Sequence, residues 1–300
     1  MITSMTPVLK QWIARAVALC VVGPICAMFA SGVVASDGSH DTGFLTSHGG
    51  GAVALGSVLL LGLGFGVIVG RVVDRREGFL NIAFVFGWVA WTMGRMGEVY
   101  RIAPESGTFI KLAIEAGVIG LATMIALMVM TNPSKGMVHG HSDDVSRFDY
   151  GYLKESMTNA RGLASMGVGL LAALVFAYIF GQTDLPGQSV GVGFGAGIFA
   201  GLGGAMAASS MQKKSNHHEP TAFGPIMLGV MLAGVVGPLV GLIMPGSNEL
   251  VGLVVKGDLQ GFLIVSPMAW TMGALLGVPV GHSWVEHSAQ QAAGVQAKRA

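Results

Sequence analysis

Charge is what this sequence lacks. Its 300 residues include 17 Lys and Arg against 16 Asp and Glu, 11% in all, where an average soluble protein carries about 25%. With 52% hydrophobic residues, that deficit excludes a disordered chain and an ordinary soluble domain, whose surface needs charge. Cysteine is scarce too: Cys20 and Cys26 both fall in the first apolar segment, so no framework of disulfides ties the later loops together. Catalytic signatures are also missing. The chain has no GxSxG elbow, no Walker A loop and no HExxH helix, and its only adjacent carboxylates, Asp143 and Asp144, cannot converge on one reacting centre. A net charge of +1 without a basic domain gives no nucleic-acid partner.

What the chain has is apolar length and glycine. A spanning helix needs about 20 mostly apolar residues to cross ~30 Å of hydrocarbon, and eight stretches qualify: 16–35, 52–70, 79–97, 109–130, 163–181, 188–209, 222–244 and 259–281. The fold class is therefore all-α, a polytopic transmembrane bundle of eight helices with the lipid bilayer as its solvent. A single domain covers 36–281, with one long connection at 131–162 and a polar tail at 282–300. The tail reads as irregular, and Leu250 to Val255 is too short to span and reads as interfacial or re-entrant.

Orientation follows from the basic residues, which collect on the cytoplasmic side. With the amino terminus inside, that side gathers 13 of the 17 Lys and Arg, leaving Arg95, Arg101, Lys111 and Lys256 outside. This predicts a multi-pass cell (inner) membrane protein with loop 131–162 and the carboxyl terminus in the cytoplasm. Residues 1–35 have a second reading: Lys10 and Arg15, an apolar run and Val33-Val-Ala35 also describe a cleaved signal peptide, which would leave seven helices. The run of about 20 residues exceeds a signal core of 7–15 and favours retention.

The 47 glycines are more than twice the roughly 7% of an average chain. Gly62, Gly66 and Gly70 recur every fourth residue in the second span, as do Gly193, Gly197 and Gly201 in the sixth. In a bilayer such faces let helix backbones approach, which predicts glycine-zipper packing. Both spans are followed by a basic turn and an Ala-Phe pair, Ala83-Phe84 and Ala222-Phe223. A duplication of spans 2–4 as 6–8 would account for this. The offsets vary, however, and Trp91-Thr-Met-Gly94 matches Trp270-Thr-Met-Gly273 across spans of opposite direction.

Ionisable groups inside spans cost several kcal/mol and mark function by default. Arg95 and Glu98 close the third span, Arg101 and Glu105 lie in the turn, and Lys111 and Glu115 open the fourth. Arg95, Glu98, Lys111 and Glu115 are the transport or ion-pair candidates, and Glu115 is the deepest carboxylate. The alternative is an ion-pair staple with Lys111 snorkelling outward. Pro24, Pro225, Pro238, Pro267 and Pro279 fall within spans, where each should kink its helix.

All eight histidines are expected in loops or the tail, none within a span, so no b-type haem with axial imidazoles is expected. His139 with His141, His217 with His218, and His282 with His287 are predicted on the inner face beside carboxylates. Such pairs could hold a divalent metal; no other cofactor is indicated. Residues 147–156 mix aromatics with charge and read as an interfacial helix. Three classes remain. A secondary transporter or channel for a small solute or ion leads, followed by a structural or accessory subunit of a membrane complex, with homo-oligomers or complex subunits as partners. A membrane enzyme is the least supported.

Overall fold

A computed structural model describes residues 6–40, 42–93, 95–131, 158–211, 223–243 and 247–297. Among them the chain is helical without strands. The first half contains α1 (Pro7–Val17), a π-turn (Ala18–Val22), α2 (Gly23–Ser31), α3 (Gly51–Val72), α4 (Arg75–Thr92), α5 (Met96–Ile102) and α6 (Ser106–Thr131). The second contains α7 (Ala160–Phe180), α8 (Pro186–Ser210), α9 (Phe223–Gly241), α10 (Ser247–Lys256) and α11 (Pro267–Ala297), with a short 3-10 turn at Gly261–Leu263.

Six of these segments are long and apolar enough to cross a membrane: Pro7–Ser31, α3, Ser106–Met130, α7, α8 and α9. They make this a multi-pass membrane protein. The other two expected spans fold as α4 and α11 but are more polar. The first turn of α4 carries Arg75, Arg76 and Glu77, and α11 continues into His282, Glu286 and His287. Large apolar side chains lie bare along the helices, with Leu60 at 77%, Leu121 at 65% and Leu171 at 62% exposure, a distribution that belongs in lipid rather than water.

Glycine sets how closely the helices approach. Along α3 the glycines receive side chains from the antiparallel α4: Gly62 faces Val85 and Phe86, and Gly66 faces Ile82. Between the parallel helices α8 and α11 the contact is backbone on backbone. Gly193 meets the Ala269 carbonyl, Gly197 the Gly273 carbonyl and Gly201 the Val278 carbonyl, while Gly273, Gly277 and Gly281 meet the carbonyls of Gly193, Phe194 and Ile198. A Cβ at any of these positions would overlap the opposing chain.

Arginines tie helix ends together on the face where α1 begins. Arg15 grips Glu77 at the start of α4 through two bonds, Nε–Oε2 at 2.9 Å and Nη2–Oε1 at 2.5 Å. Arg71 donates to the Val129 carbonyl at 3.0 Å, and Arg161 donates to the Ala208 carbonyl at 2.9 Å. Both carbonyls lie in the last turn of a helix, where no amide remains to bond them and the helix dipole favours a cation.

Several expectations need correction. The stretch 259–281 is not one helix: apart from the 3-10 turn at Gly261–Leu263, residues 257–266 run irregularly, and α11 starts at Pro267, with Ser266 Oγ accepting from Ala269 N–H at 3.3 Å. Serine before a proline at the first helical position is a strong start signal. At its other end α11 runs to Ala297, because Ala, Gln and Glu sustain a helix and no proline follows Pro279. The tail is therefore helical over its described residues, and His282 and His287 lie within a helix. Of the prolines, Pro238 and Pro279 are inside helices, whereas Pro225 and Pro267 occupy first turns, where no donor is lost. Pro24 follows the π-turn, whose wider coil accommodates a ring that would clash in a regular one. Most of loop 131–162 and the expected interfacial helix 147–156 lie outside the described residues.

The α8–α11 contact gives a direct test. Gly197→Leu should destabilise the detergent-solubilised protein by at least about 1–3 kcal/mol through overpacking. Gly64→Leu, where a side chain meets open space, should leave the thermal midpoint in place.

Candidate functional site

The charged residues of the third and fourth expected spans do not form one cluster. Arg101 Nε bonds Glu98 Oε2 at 2.5 Å, one turn apart on α5. Arg95 and Lys111 are exposed. Glu115 is fully buried and turns from Lys111 toward the loop between α2 and α3. There its Oε2 accepts from Leu45 N–H at 2.9 Å, and the Phe44 amide also donates to the carboxylate. Its Oε1 has no hydrogen-bond partner among the described residues.

The loop is shaped to receive this carboxylate. Thr42 and Thr46 hydroxyls lie 3.0 Å apart, and Gly43 N–H donates to Thr46 Oγ1 at 2.8 Å, curling the chain so that successive amides point inward. Gly43 completes the fit, because a Cβ there would stand 3.1 Å from Glu115 Oε2 and 2.9 Å from Leu112. Phe44 is buried beside it. The arrangement places a carboxylate inside a membrane-spanning helix, under a small polar loop, with one oxygen committed to amides and the other open.

A second carboxylate was missed by the sequence reading. Asp184, in the turn between α7 and α8, accepts from the amides of Gly97 and Glu98 in the first turn of α5. A Cβ at Gly97 would stand 2.5 Å from Asp184 Oδ2, and that glycine is the one trace of the contact in the sequence. Burial pushes the Asp184 carboxyl above its ordinary range, opposed by the two amides and by Arg95. Nearby, Tyr100 is fully buried, its hydroxyl donates to the Leu263 carbonyl at 3.3 Å, and burial pushes it upward as well. On the loop between α2 and α3, the Ser39 amide lowers the Asp37 carboxyl.

Of the metal candidates, His139, His141, His217 and His218 lie outside the described residues. His282 is not in a loop: it is fully buried in α11, its ring 4.3 Å from that of Phe223, with Nδ1 3.8 Å from Glu286 Oε2 one turn on. Among the described residues no group of three or more His, Cys, Asp or Glu could hold a metal ion. Of the packing candidates, Gly62, Gly66 and Gly70 lie on α3 against side chains, and Gly193, Gly197 and Gly201 on α8 against backbone. The sequence reading overlooked their counterparts Gly273, Gly277 and Gly281. An apolar groove of about 330 Å³ is lined by Val168, Val175, Phe176 and Phe199 on α7 and α8. No family model, no curated protein and no solved structure matches the chain.

Asp184 yields a pH prediction. Its folded pKa lies above the unfolded value, so its contribution to stability is full below the ordinary carboxylate range and is lost as pH rises through the folded pKa. Asp184→Asn should flatten the stability profile across that acidic window, since Oδ1 can still accept from the amides. Asp184→Ala strands two donors and should cost about 1–3 kcal/mol. Thermal unfolding in detergent between pH 3 and pH 7 checks both.

Proposed function

We propose that this protein is an eight-span, glycine-zipped carrier or channel of the cell (inner) membrane, acting on a small solute or ion, with both termini cytoplasmic. The observation that carries the reading is the open oxygen of Glu115. A fully buried carboxylate within a spanning helix is costly unless it is partnered, and here the outer loop satisfies only one of its oxygens. A proton or small cation on Oε1 would complete its coordination, with the Thr42–Thr46 turn between it and the outside. Retention of residues 1–35 as the first span is supported by the Arg15–Glu77 pair and by the complete burial of Ala18 and Cys26. The cytoplasmic side is supported by the arginines that gather at helix ends near the start of α1.

The second reading, an accessory subunit of a membrane complex, is favoured by the apolar groove on α7 and α8, which a neighbouring transmembrane helix could fill. Mild extraction followed by native mass separates the two readings. A monomer or homo-oligomer supports the carrier, whereas foreign subunits in fixed ratio support the subunit, and the same spectra report whether residues 1–35 remain.

For the carrier, purified protein in liposomes should show ion- or proton-coupled flux. Glu115→Gln should abolish the coupling, while Lys256→Gln, on the exposed end of α10, should leave flux unchanged. Unaltered flux with a lowered thermal midpoint in Glu115→Gln would show that the carboxylate only fastens the loop.

A further inference from the structure

We infer that the chain is one four-span unit present twice, residues 7–131 and 160–297, and that the halves meet as pseudo-identical partners across a twofold axis along the membrane normal. This goes beyond the carrier reading and does not rest on it. The order of elements is the first sign. Each half runs helix, glycine-rich helix, helix, short helix, long helix, so α1–α2 corresponds to α7, α3 to α8, α4 to α9, α5 to α10 and α6 to α11.

Side-chain contacts fix the register. In the first half Ile82 of α4 fills the space at Gly66 of α3, its Cγ1 nearest to where a Cβ would stand and its Cδ1 at 2.7 Å. In the second, Ile226 of α9 fills the space at Gly204 of α8, again with Cγ1 nearest and with Cδ1 at 2.9 Å. Ile226 follows Ile82 by 144 residues. That same shift reappears between the halves. Gly87 of α4 faces Met272 of α11, with Cγ 3.8 Å from its ideal Cβ, and Met231 of α9 faces Gly120 of α6, with Cβ at 3.5 Å. Met231 follows Gly87 by 144 residues, and Met272 follows Gly120 by 152. The 152-residue shift recurs from Met130, which lies against Gly78 at the start of α4, to His282, which lies on Phe223 at the start of α9.

Exchange of the halves turns the α4–α11 contact into the α6–α9 contact, and both exist. The pairs it maps onto themselves, α6 with α11 and α5 with α10, also touch, as two elements straddling an axis must. Each half contributes an even number of antiparallel passes, so both begin on the same face and the axis lies along the helices. The duplication anticipated from Ala83-Phe84 and Ala222-Phe223 was out of register: those pairs are 139 residues apart, more than a turn short of the packing shift.

Equivalent sites should accept each other's residues. In the full-length protein Gly87→Met and Met272→Gly should each lower the thermal midpoint, one by crowding and one by a void. The double variant carries the same pair as Met231 and Gly120 and should regain more than half of the loss. The mirror set, Met231→Gly with Gly120→Met, should behave alike. If a single variant does not fold, recovery of a monodisperse size-exclusion peak in its double variant gives the same answer. Double variants no better than the worse single at either contact would overturn the duplication.

Discussion

Hydrocarbon offers no hydrogen bonds, and most of this structure follows from that fact. A polar atom between the helices must be matched by protein or removed from the slab. The chain does both. It carries few charges, and those it brings inward are joined mostly to backbone: Arg161 to a helix-terminal carbonyl, Glu115 and Asp184 to paired amides. A backbone partner is fixed in place and needs no second side chain to be ordered, so a single residue can tie two distant segments together. Arg15 and Glu77 are the exception, a pair of charges at the rim where the guanidinium keeps partial access to solvent.

The same solvent explains the reliance on glycine. Since leaving lipid gains an apolar side chain nothing, association depends on dispersion between surfaces that fit. Within α3 and α4 the fit is side chain into notch, and between α8 and α11 it is main chain against main chain. Helix α8 uses both kinds of fit, since its Gly204 receives the Ile226 side chain of α9.

Much of the helical layout was legible because apolar length is a one-dimensional signal. The expected spans at 52–70, 109–130 and 163–181 differ from α3, α6 and α7 by only a few residues at either end. Where the reading went astray, apolarity had two meanings. Residues 261–265 are apolar because they form a largely buried connection with a single 3-10 turn, not because they belong to a long helix, and only Ser266-Pro267 records the difference. Gly273, Gly277 and Gly281 have the same spacing as the glycines that were noticed, in a span that includes Pro279 and Trp270. The candidate site was half visible: burial of Glu115 follows from its depth in α6, but its partners lie 70 residues away in the chain. They are amides, which every residue has, so no residue type betrays them. Asp184 was hidden for the same reason.

The π-turn at Ala18–Val22 is a departure from regular helix with consequences on both sides of it. A widened turn takes in one residue more than a regular one, and each residue in an α-helix advances the face by about 100°. The two ends of the first segment are thus rotated against each other like the jaws of an offset wrench. Below the turn, Arg15 is aimed at Glu77; above it, Cys26 is aimed into the core. In an unbroken helix the eleven residues from Arg15 to Cys26 would bring both side chains round to nearly one face, so the wide turn at the proline swings α2 onto α3 as well as α4 while α1 stays against α4.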